Sequence, residues 1–528
     1  MRRWNGWGDD AVNVTLPEAA RAYLRDLLGT PPTIADAAFE QCTATVGPSR
    51  LPDHPLVDHT AATRVLHARG QSLPDWLALR FGRIERVPDG VAFPESSGDV
   101  RDLLAFAASC KARVIPYGGG TSVVGHLTPP DGDEPVLTIS MARMRKLLAL
   151  DTMSRLATFE AGVMGPDLEA QLHNHGYTLG HFPQSFEYSS LGGWVVTRSS
   201  GQQSLRYGRI DDLFAGGRIE TPVGTLEIPT FPASAAGIDL RRIVLGSEGR
   251  LGIVTEATVK VRPVPASESF YGCFFPTWND AETAVRTLVH RGVDLSMIRL
   301  ANAMETATTL QLAGTSTALT LLQHYIALRG CRDEACLLMI GVTGTSESAR
   351  AILDDARAII REHRGVWVGA RLGNRWRHNR FAGVYLRNAL WECGYAVDTV
   401  ETAVDWPRVH TMMHDIEAAA HHVLDDDGGV LAYTHLSHVY SQGSSVYSTF
   451  VFPLAAEYEK NLQRWSVLKR SISEAIVRNG GTISHQHGVG LDHRPYLQAE
   501  KGALGLDAMR AVFAHFDPDM RMNPGKLC

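Results

Sequence analysis

Two stretches of this chain pair residue types that can do chemistry with the glycines needed to expose them. The first runs Pro116-Tyr117-Gly118-Gly119-Gly120-Thr121-Ser122, with His126 just beyond it. Three consecutive glycines let the backbone approach a ligand closely and turn its N–H groups inward, which suits a pyrophosphate. Thr121 and Ser122 add hydroxyl donors where negative charge would sit. An ordinary flexible loop has the same composition. The second stretch is Gly480-Gly481-Thr482-Ile483-Ser484-His485-Gln486-His487-Gly488-Val489-Gly490. Two imidazoles flanked by glycines make a ligand-facing loop with acid/base capacity near neutral pH. His-x-His supplies only two metal ligands and no third is spaced to join them, so no metal is expected.

Two further segments read as parts of a ligand pocket. Gln184-Ser185-Phe186-Glu187-Tyr188-Ser189-Ser190 leads into a Gly192-Gly193 pair and on to Thr197-Arg198-Ser199-Ser200. Hydroxyls on both sides of glycines that can begin a tightly packed helix suit phosphate and ribose oxygens, although a Ser-rich loop capping a helix reads the same way. In Glu248-Gly249-Arg250-Leu251-Gly252-Ile253-Val254 side chains are missing where a flat ring could lie against backbone. A plain hairpin is the alternative.

The elements that must position these segments follow from hydrophobic pattern. Leu16-Pro17-Glu18 opens a helix with Ala20, Tyr23, Leu24, Leu27 and Leu28 on one face. Strand 91–94, a helix with Val100, Leu103, Leu104 and Ala107 inward, and strand 113–115 form a strand–helix–strand unit, with Pro116 expected to end the ladder. Strands 136–140 and 156–163 and a helix from Pro166 continue it. After Arg262-Pro263-Val264-Pro265 the pattern shifts to strands 270–275 and 336–342 alternating with helices at about 279–291 and 346–363. A helix over 407–424, a strand pair over 430–452 and a helix over 454–478 follow. The divisions expected are a helical leader at 1–84, a cofactor domain at 85–265, a cap at 266–480, and a closing segment at 481–528.

Composition excludes several classes. A chain of 528 residues, 44% apolar and 20% charged, is a soluble protein of two or more domains. Net charge −6 and the lack of a basic run argue against nucleic acid. Seven scattered cysteines suggest reduced thiols in a cytoplasm. No signal peptide, membrane-spanning run or peroxisomal address is legible, so a cytoplasmic location is expected.

Taken in this order and spacing, the three ligand segments resemble the FAD-binding domain of the vanillyl-alcohol oxidase and p-cresol methylhydroxylase superfamily. Within it the chain is most similar to alkyldihydroxyacetonephosphate synthase (alkylglycerone-phosphate synthase). The similarity starts at a leader motif, Arg3-Trp4-Asn5-Gly6-Trp7-Gly8, and extends past His487. It implies an α+β fold: a two-subdomain FAD-binding domain plus a cap of β-sheet and helices. The implied FAD contacts are Pro116 to Ser122, Gln184 to Ser190, Thr197 to Ser200, and Glu248 to Val254. The glycine loop offers no His or Cys, so FAD is expected to be non-covalent, and His126 is read as a polar wall residue.

The same resemblance assigns Arg387, in Tyr385-Leu386-Arg387-Asn388, to the substrate phosphate, with Arg375, Arg377 and Arg380 as competitors. A guanidinium suits that task because it binds phosphate bidentately and stays charged. It assigns proton transfer to Tyr447, with Tyr440 as the spare, and to His485 and His487. The family carries a third histidine where this chain has Gln486. His435 and His438 are assigned structural roles, though they could line the same cavity.

The implied reaction exchanges the acyl chain of acyl-dihydroxyacetone phosphate for a fatty alcohol through an adduct at flavin N5. An apolar tunnel from residues 290–340 would open toward a membrane surface, with peripheral membrane contact and a homodimer as the expected associations. The rival is a FAD-dependent oxidase or dehydrogenase of a 2-hydroxy acid. Its support is Gln486 and the tail Phe516-Asp517-Pro518 with Met522-Asn523-Pro524-Gly525-Lys526, which resembles D-lactate and glycolate oxidoreductases.

Overall fold

The hydroxyl of Ser96 accepts from Asp99 N and starts the helix Ser97–Ser109, whose buried Val100, Leu103, Leu104 and Ala107 pack with Val114, Leu137 and Ile139. That helix covers a four-stranded sheet, ordered Val57–Asp58, Gly90–Ala92, Val136–Ser140, Arg113–Tyr117, in a computed structural model that describes residues 2–312, 314 and 316–528. The last three strands run parallel, as a strand–helix–strand unit requires. Contrary to expectation, Pro116 does not end its strand: the ladder continues through Pro116↔Ile139 to Tyr117↔Ser140. The strand is last in its sheet, so the missing N–H deprives no neighbour of a bond. On that free side the chain's tail returns, Val114 N donating to Arg521 O at 2.9 Å and Asn523 N to Val114 O at 2.7 Å.

A second sheet, antiparallel throughout, orders Leu147–Asp151, Leu156–Glu160, Ile253–Lys260, Phe214–Thr221 and Gly224–Ile228. The third is a seven-stranded antiparallel sheet ordered Val366–Gly369, Ser267–Phe275, Cys336–Gly344, Met297–Ala301, Leu431–Leu436, Gly443–Pro453, Tyr395–Asp405. Three of its strands, Val366–Gly369, Met297–Ala301 and Tyr395–Asp405, fall outside the elements expected from the sequence. The amphipathic helices Trp278–His290, Ser346–Glu362, Val409–Leu424 and Tyr458–Arg478 bury their apolar stripes in the largest core cluster, with strand residues such as Leu338, Ile340, Phe450 and Phe452.

Register across the third sheet matters for function. Glu401 pairs with Tyr447, which pairs with His435; two residues on, Thr399, Thr449 and Tyr433 form a row; two further on, Val397, Val451 and Leu431 do. Rows on one face are about 6.7 Å apart along the strands. One face therefore changes from ionisable to apolar within three rows.

The leader is tied into this body rather than hanging from it. Asn388 accepts from Trp7 N at 3.1 Å and donates to Trp7 O at 2.9 Å. Among the described residues no helix is long and apolar enough to cross a membrane.

The glycine loop is held against the segment before Ser189 so closely that a Cβ at Gly119 would lie 1.6 Å from the carbonyl oxygen of Tyr188. Both partners are backbone, so neither can swing aside. Gly119→Ala should lower stability by roughly 3 kcal/mol, read as a drop in Tm, whereas an unchanged Tm would show that the loop does not dock as described.

Candidate active site

A cavity of about 790 Å³ lies between the two cofactor-side sheets and the cap. Its first wall is backbone. Pro116 to Ser122 all line it, as do Gln184, Ser185, Ser189, Ser190, Thr197, Ser199, Ser200, Glu248, Gly249, Gly252, Ile253 and Val254. Among the described residues no protein group accepts from the amides of Gly119, Gly120, Thr121 or Ser122, and the buried hydroxyl of Ser200 has no partner. Unused N–H groups beside bare glycines are what a pyrophosphate needs, so these residues fit a dinucleotide.

Other side chains of those segments turn away from the cavity, which corrects the expectation for them. Phe186 stacks on Phe381 with ring centroids 4.9 Å apart. Tyr188 reaches the Tyr385 hydroxyl at 3.4 Å, and Glu187, whose carboxyl burial pushes up, faces the same Tyr385. Arg198 pairs with Asp211, Arg250 donates to Met522 O at 2.6 Å, and Leu251 sits in the core. These six position the wall.

The opposite wall comes from the cap and the closing loop. Arg387, Tyr447, Gln486 and His487 line it. The Arg387 guanidinium lies 4.2 Å from the Trp76 ring centroid and donates to Gln71 O. Burial lowers its pKa to about 10, which leaves it charged at neutral pH. Burial pushes the Tyr447 phenol up to about 12 and holds the His487 imidazole below its ordinary value. Tyr447 is thus a proton-bearing phenol and His487 a neutral ring able to accept a proton. Of the competing arginines, Arg375 and Arg380 also line the cavity, while Arg377 pairs with Glu268 at 3.1 Å.

His485 is placed differently from expectation. It does not line the cavity; its Nε2 lies 2.7 Å from the Tyr440 hydroxyl and its Nδ1 3.2 Å from Glu401 Oε1. The backbone N–H of His485 donates to Glu401 O at 3.0 Å, which keeps its ring behind the wall while Gln486 and His487 line the cavity. Burial depresses the pKa of His485 to about 4. His435 and His438, assigned structural roles, both line the cavity. His435 stacks on Tyr447 at 4.7 Å and lies 2.9 Å from Glu305, which also binds Arg299. Glu401, His438 and His485 bring three ligand-type atoms within 4.8 Å of one another. His438 Nδ1 hydrogen-bonds one oxygen of Glu401 at 3.2 Å, and His485 Nδ1 lies equally near that oxygen without forming a hydrogen bond.

At its other end the cavity is apolar. From the 290–340 stretch come Met297, Leu312, Leu337 and Met339; Ala313 and Thr315 lie outside the described residues. Beyond that stretch, Leu16 and Leu24 of the helix Glu18–Leu28 and its approach, Leu386 and Leu390, and the strand residues Leu431 and Val451 complete the wall. The helical spacing of Leu24 and Leu28 marked a buried face, but nothing local said what it covers.

Comparison with known proteins agrees with this anatomy. Residues 88–228 match the family described as FAD binding domain, and 264–527 match FAD linked oxidases, C-terminal domain. An alkyldihydroxyacetonephosphate synthase of Dictyostelium discoideum is 32% identical over 99% of this chain and 93% of its own length. One from Trypanosoma brucei brucei is 30% identical over 99% and 92%. A solved structure of an alkyldihydroxyacetonephosphate synthase superposes with TM-score 0.85 at 28% identity, covering 99% of this chain and 98% of that one.

Asp492 follows the closing loop, its Oδ2 buried without a partner, and burial pushes its carboxyl up from 3.8 to about 7. Because the folded state binds this proton more tightly than the unfolded chain, stability is lost as pH rises through that window. Asp492→Asn should therefore raise Tm by an amount that is absent near pH 4, grows as pH rises, and levels off above about pH 7. A gain independent of pH would refute the assignment.

Proposed function

We propose that this chain, which belongs to the alkyldihydroxyacetonephosphate synthase family, exchanges the acyl group of acyl-dihydroxyacetone phosphate for a fatty alcohol. The observation that carries this is the ordered cavity: a backbone cradle, then a cation with proton-transfer groups, then an apolar end. A phosphorylated head with a long chain needs all three, and a small 2-hydroxy acid would leave the apolar end without a task.

FAD would be held by the amides of Gly119 to Ser122 and the hydroxyls of Ser189, Ser190, Ser199 and Ser200, and supplies an electron-poor ring. Arg387 binds the phosphate; its guanidinium is already stacked and oriented, so little freedom is lost on binding. His487, kept neutral by burial, takes the proton next to the substrate carbonyl. Tyr447 keeps its proton and donates a hydrogen bond to an oxygen that gains charge. Gln486 can hydrogen-bond but cannot carry a proton, so the work of a histidine there falls to its neighbours.

The long chains must reach the site, and the helices around the apolar end suggest how. The helix Glu18–Leu28 meets Ala303–Leu312 where the Tyr23 hydroxyl lies 3.9 Å from Met304 Sδ. Leu27 and Met304 are exposed, and Leu321 and Leu328 of the helix Thr317–Leu328 are 66% and 87% exposed. This apolar face would rest on a membrane surface and admit substrate from it.

Three measurements test the proposal. Purified FAD-loaded protein should release fatty acid when given acyl-dihydroxyacetone phosphate and a fatty alcohol, with the flavin oxidised at the end. Bleaching by a 2-hydroxy acid without any exchange would replace the proposal by a redox reaction. Arg387→Ala should lower kcat/KM by roughly 10²–10³-fold, and Leu321→Asp with Leu328→Asp should abolish co-sedimentation with phosphatidylcholine vesicles.

A further inference from the structure

Three segments of the cap and the closing loop send metal-ligand atoms toward one point. They are Glu401 of the strand Tyr395–Asp405, His438 of the turn between Leu431–Leu436 and Gly443–Pro453, and His485 of the closing loop. All three are buried, and one ligand atom from each lies within 4.8 Å of the other two. His438 Nδ1 and His485 Nδ1 each stand 3.2 Å from Glu401 Oε1. Donors about 2.0–2.1 Å from a tetrahedral zinc ion lie roughly 3.3 Å from one another. Two edges of this triangle therefore already have the length that a shared ion sets.

Hydrogen bonds among the three do not account for the convergence. Among the described residues His485 Nδ1 makes none, although Glu401 Oε1 is near, and Glu401 Oε2 also lacks a partner. A ring nitrogen this close but off the hydrogen-bond axis aims its lone pair beside the oxygen, as ligands of one ion do. A proton between His438 and Glu401 serves that pair and leaves both orphans buried. An ion reached by all three residues satisfies His485 Nδ1 and can take either carboxylate oxygen.

The neighbouring groups hold the ligands in the orientation that metal binding needs. His438 Nε2 lies 3.1 Å from Gly201 O, which only accepts, so a proton on Nε2 leaves Nδ1 for the ion. His485 Nε2 lies 2.7 Å from the Tyr440 hydroxyl, which can accept from it and free Nδ1 in the same way. Ser437 donates to Glu401 Oε1 at 2.8 Å. Partners of this kind fix the tautomer and direction of metal-binding rings and carboxylates. Arg209, which donates to His485 O at 2.8 Å, adds positive charge nearby, and Asp211 offsets part of it.

We propose that Glu401, His438 and His485 form a zinc site in the wall of the cavity. Two imidazoles with one carboxylate suit that ion. The sheet, not the spacing of His485 and His487, brings in the further ligands, and His487 stays with the cavity lining. Three protein ligands leave a fourth place, and because Ser437 and His438 line the cavity, that place opens to it. The ion ties together the strand, the turn and the loop that carries Gln486 and His487. Its presence does not depend on which reaction the site performs.

FAD-loaded protein stripped with a chelator and returned to Zn²⁺ tests this. Metal analysis should find one Zn²⁺ per chain. X-ray absorption at the zinc edge should show nitrogen and oxygen at about 2.0–2.1 Å, the outer scattering of two imidazoles, and no sulfur. Glu401→Gln and His485→Gln should each bind Zn²⁺ at least about 100-fold more weakly while keeping FAD, whose absorbance shows that the chain has folded. Where a variant loses FAD, the wild-type spectrum alone decides. Sulfur at about 2.3 Å would put the ion on cysteines and overturn the site. So would unchanged Zn²⁺ affinity in both variants, or a wild-type Kd weaker than about 10 µM.

Discussion

One carboxylate sets the two halves of the site against each other. Glu248 accepts from Val489 N at 2.5 Å and Gly490 N at 2.9 Å, and lies 2.9 Å from His126 Nε2. His126 in turn reaches Ser122 Oγ at 2.7 Å, at the end of the glycine loop. The backbone of Glu248 donates to Val196 O and accepts from Asn523 Nδ2 at 2.8 Å. Four segments distant in sequence therefore converge on one residue, which is held at φ +53 to reach them. An anion so buried is tolerable only because amides and an imidazole surround it. Its reward is register: the loop carrying Gln486 and His487 cannot shift relative to the cradle without exposing those bonds.

Glu401 does for the cap what Glu248 does for the cradle. It accepts from Ser437, faces two imidazoles, and its backbone oxygen accepts from His485 N at 3.0 Å. Side chain and backbone together hold His485 in place, and the loop then carries Gln486 and His487 into the cavity lining. A buried carboxylate stripped of such partners costs on the order of 3–5 kcal/mol, so the loop is strongly held.

Much of this was legible in the sequence, for a definite reason. Glycine runs bordered by hydroxyls announce backbone that must meet a ligand, and the segments from Pro116, Gln184, Thr197 and Glu248 all bring backbone or hydroxyls to the cavity. What escaped was anything fixed by register. Glu401, Tyr447 and His435 are neighbours only because Tyr395–Asp405, Gly443–Pro453 and Leu431–Leu436 lie side by side. The strand Tyr395–Asp405 mixes Asp398, Thr399, Glu401 and Thr402 into an apolar pattern, since both of its faces are buried against polar partners. That mixture hides a strand from periodicity and hides Glu401 with it. Pro116 misled in the opposite sense, because an edge position removes the penalty that a proline signals.

The cavity's cations differ in how their charge is met, and that difference orders their roles. Arg299 is bound by Glu305, so its charge is largely satisfied within the protein. Arg387, by contrast, has no carboxylate at ion-pair distance among the described residues; it is held by Gln71 O and by the face of Trp76. Stacking on an indole returns about 2 kcal/mol when water is excluded, less than the cost of burying a guanidinium. The remainder must come from an anion. A ligand that supplies one would be drawn to such unmet charge, and the phosphate position proposed at Arg387 rests on that deficit.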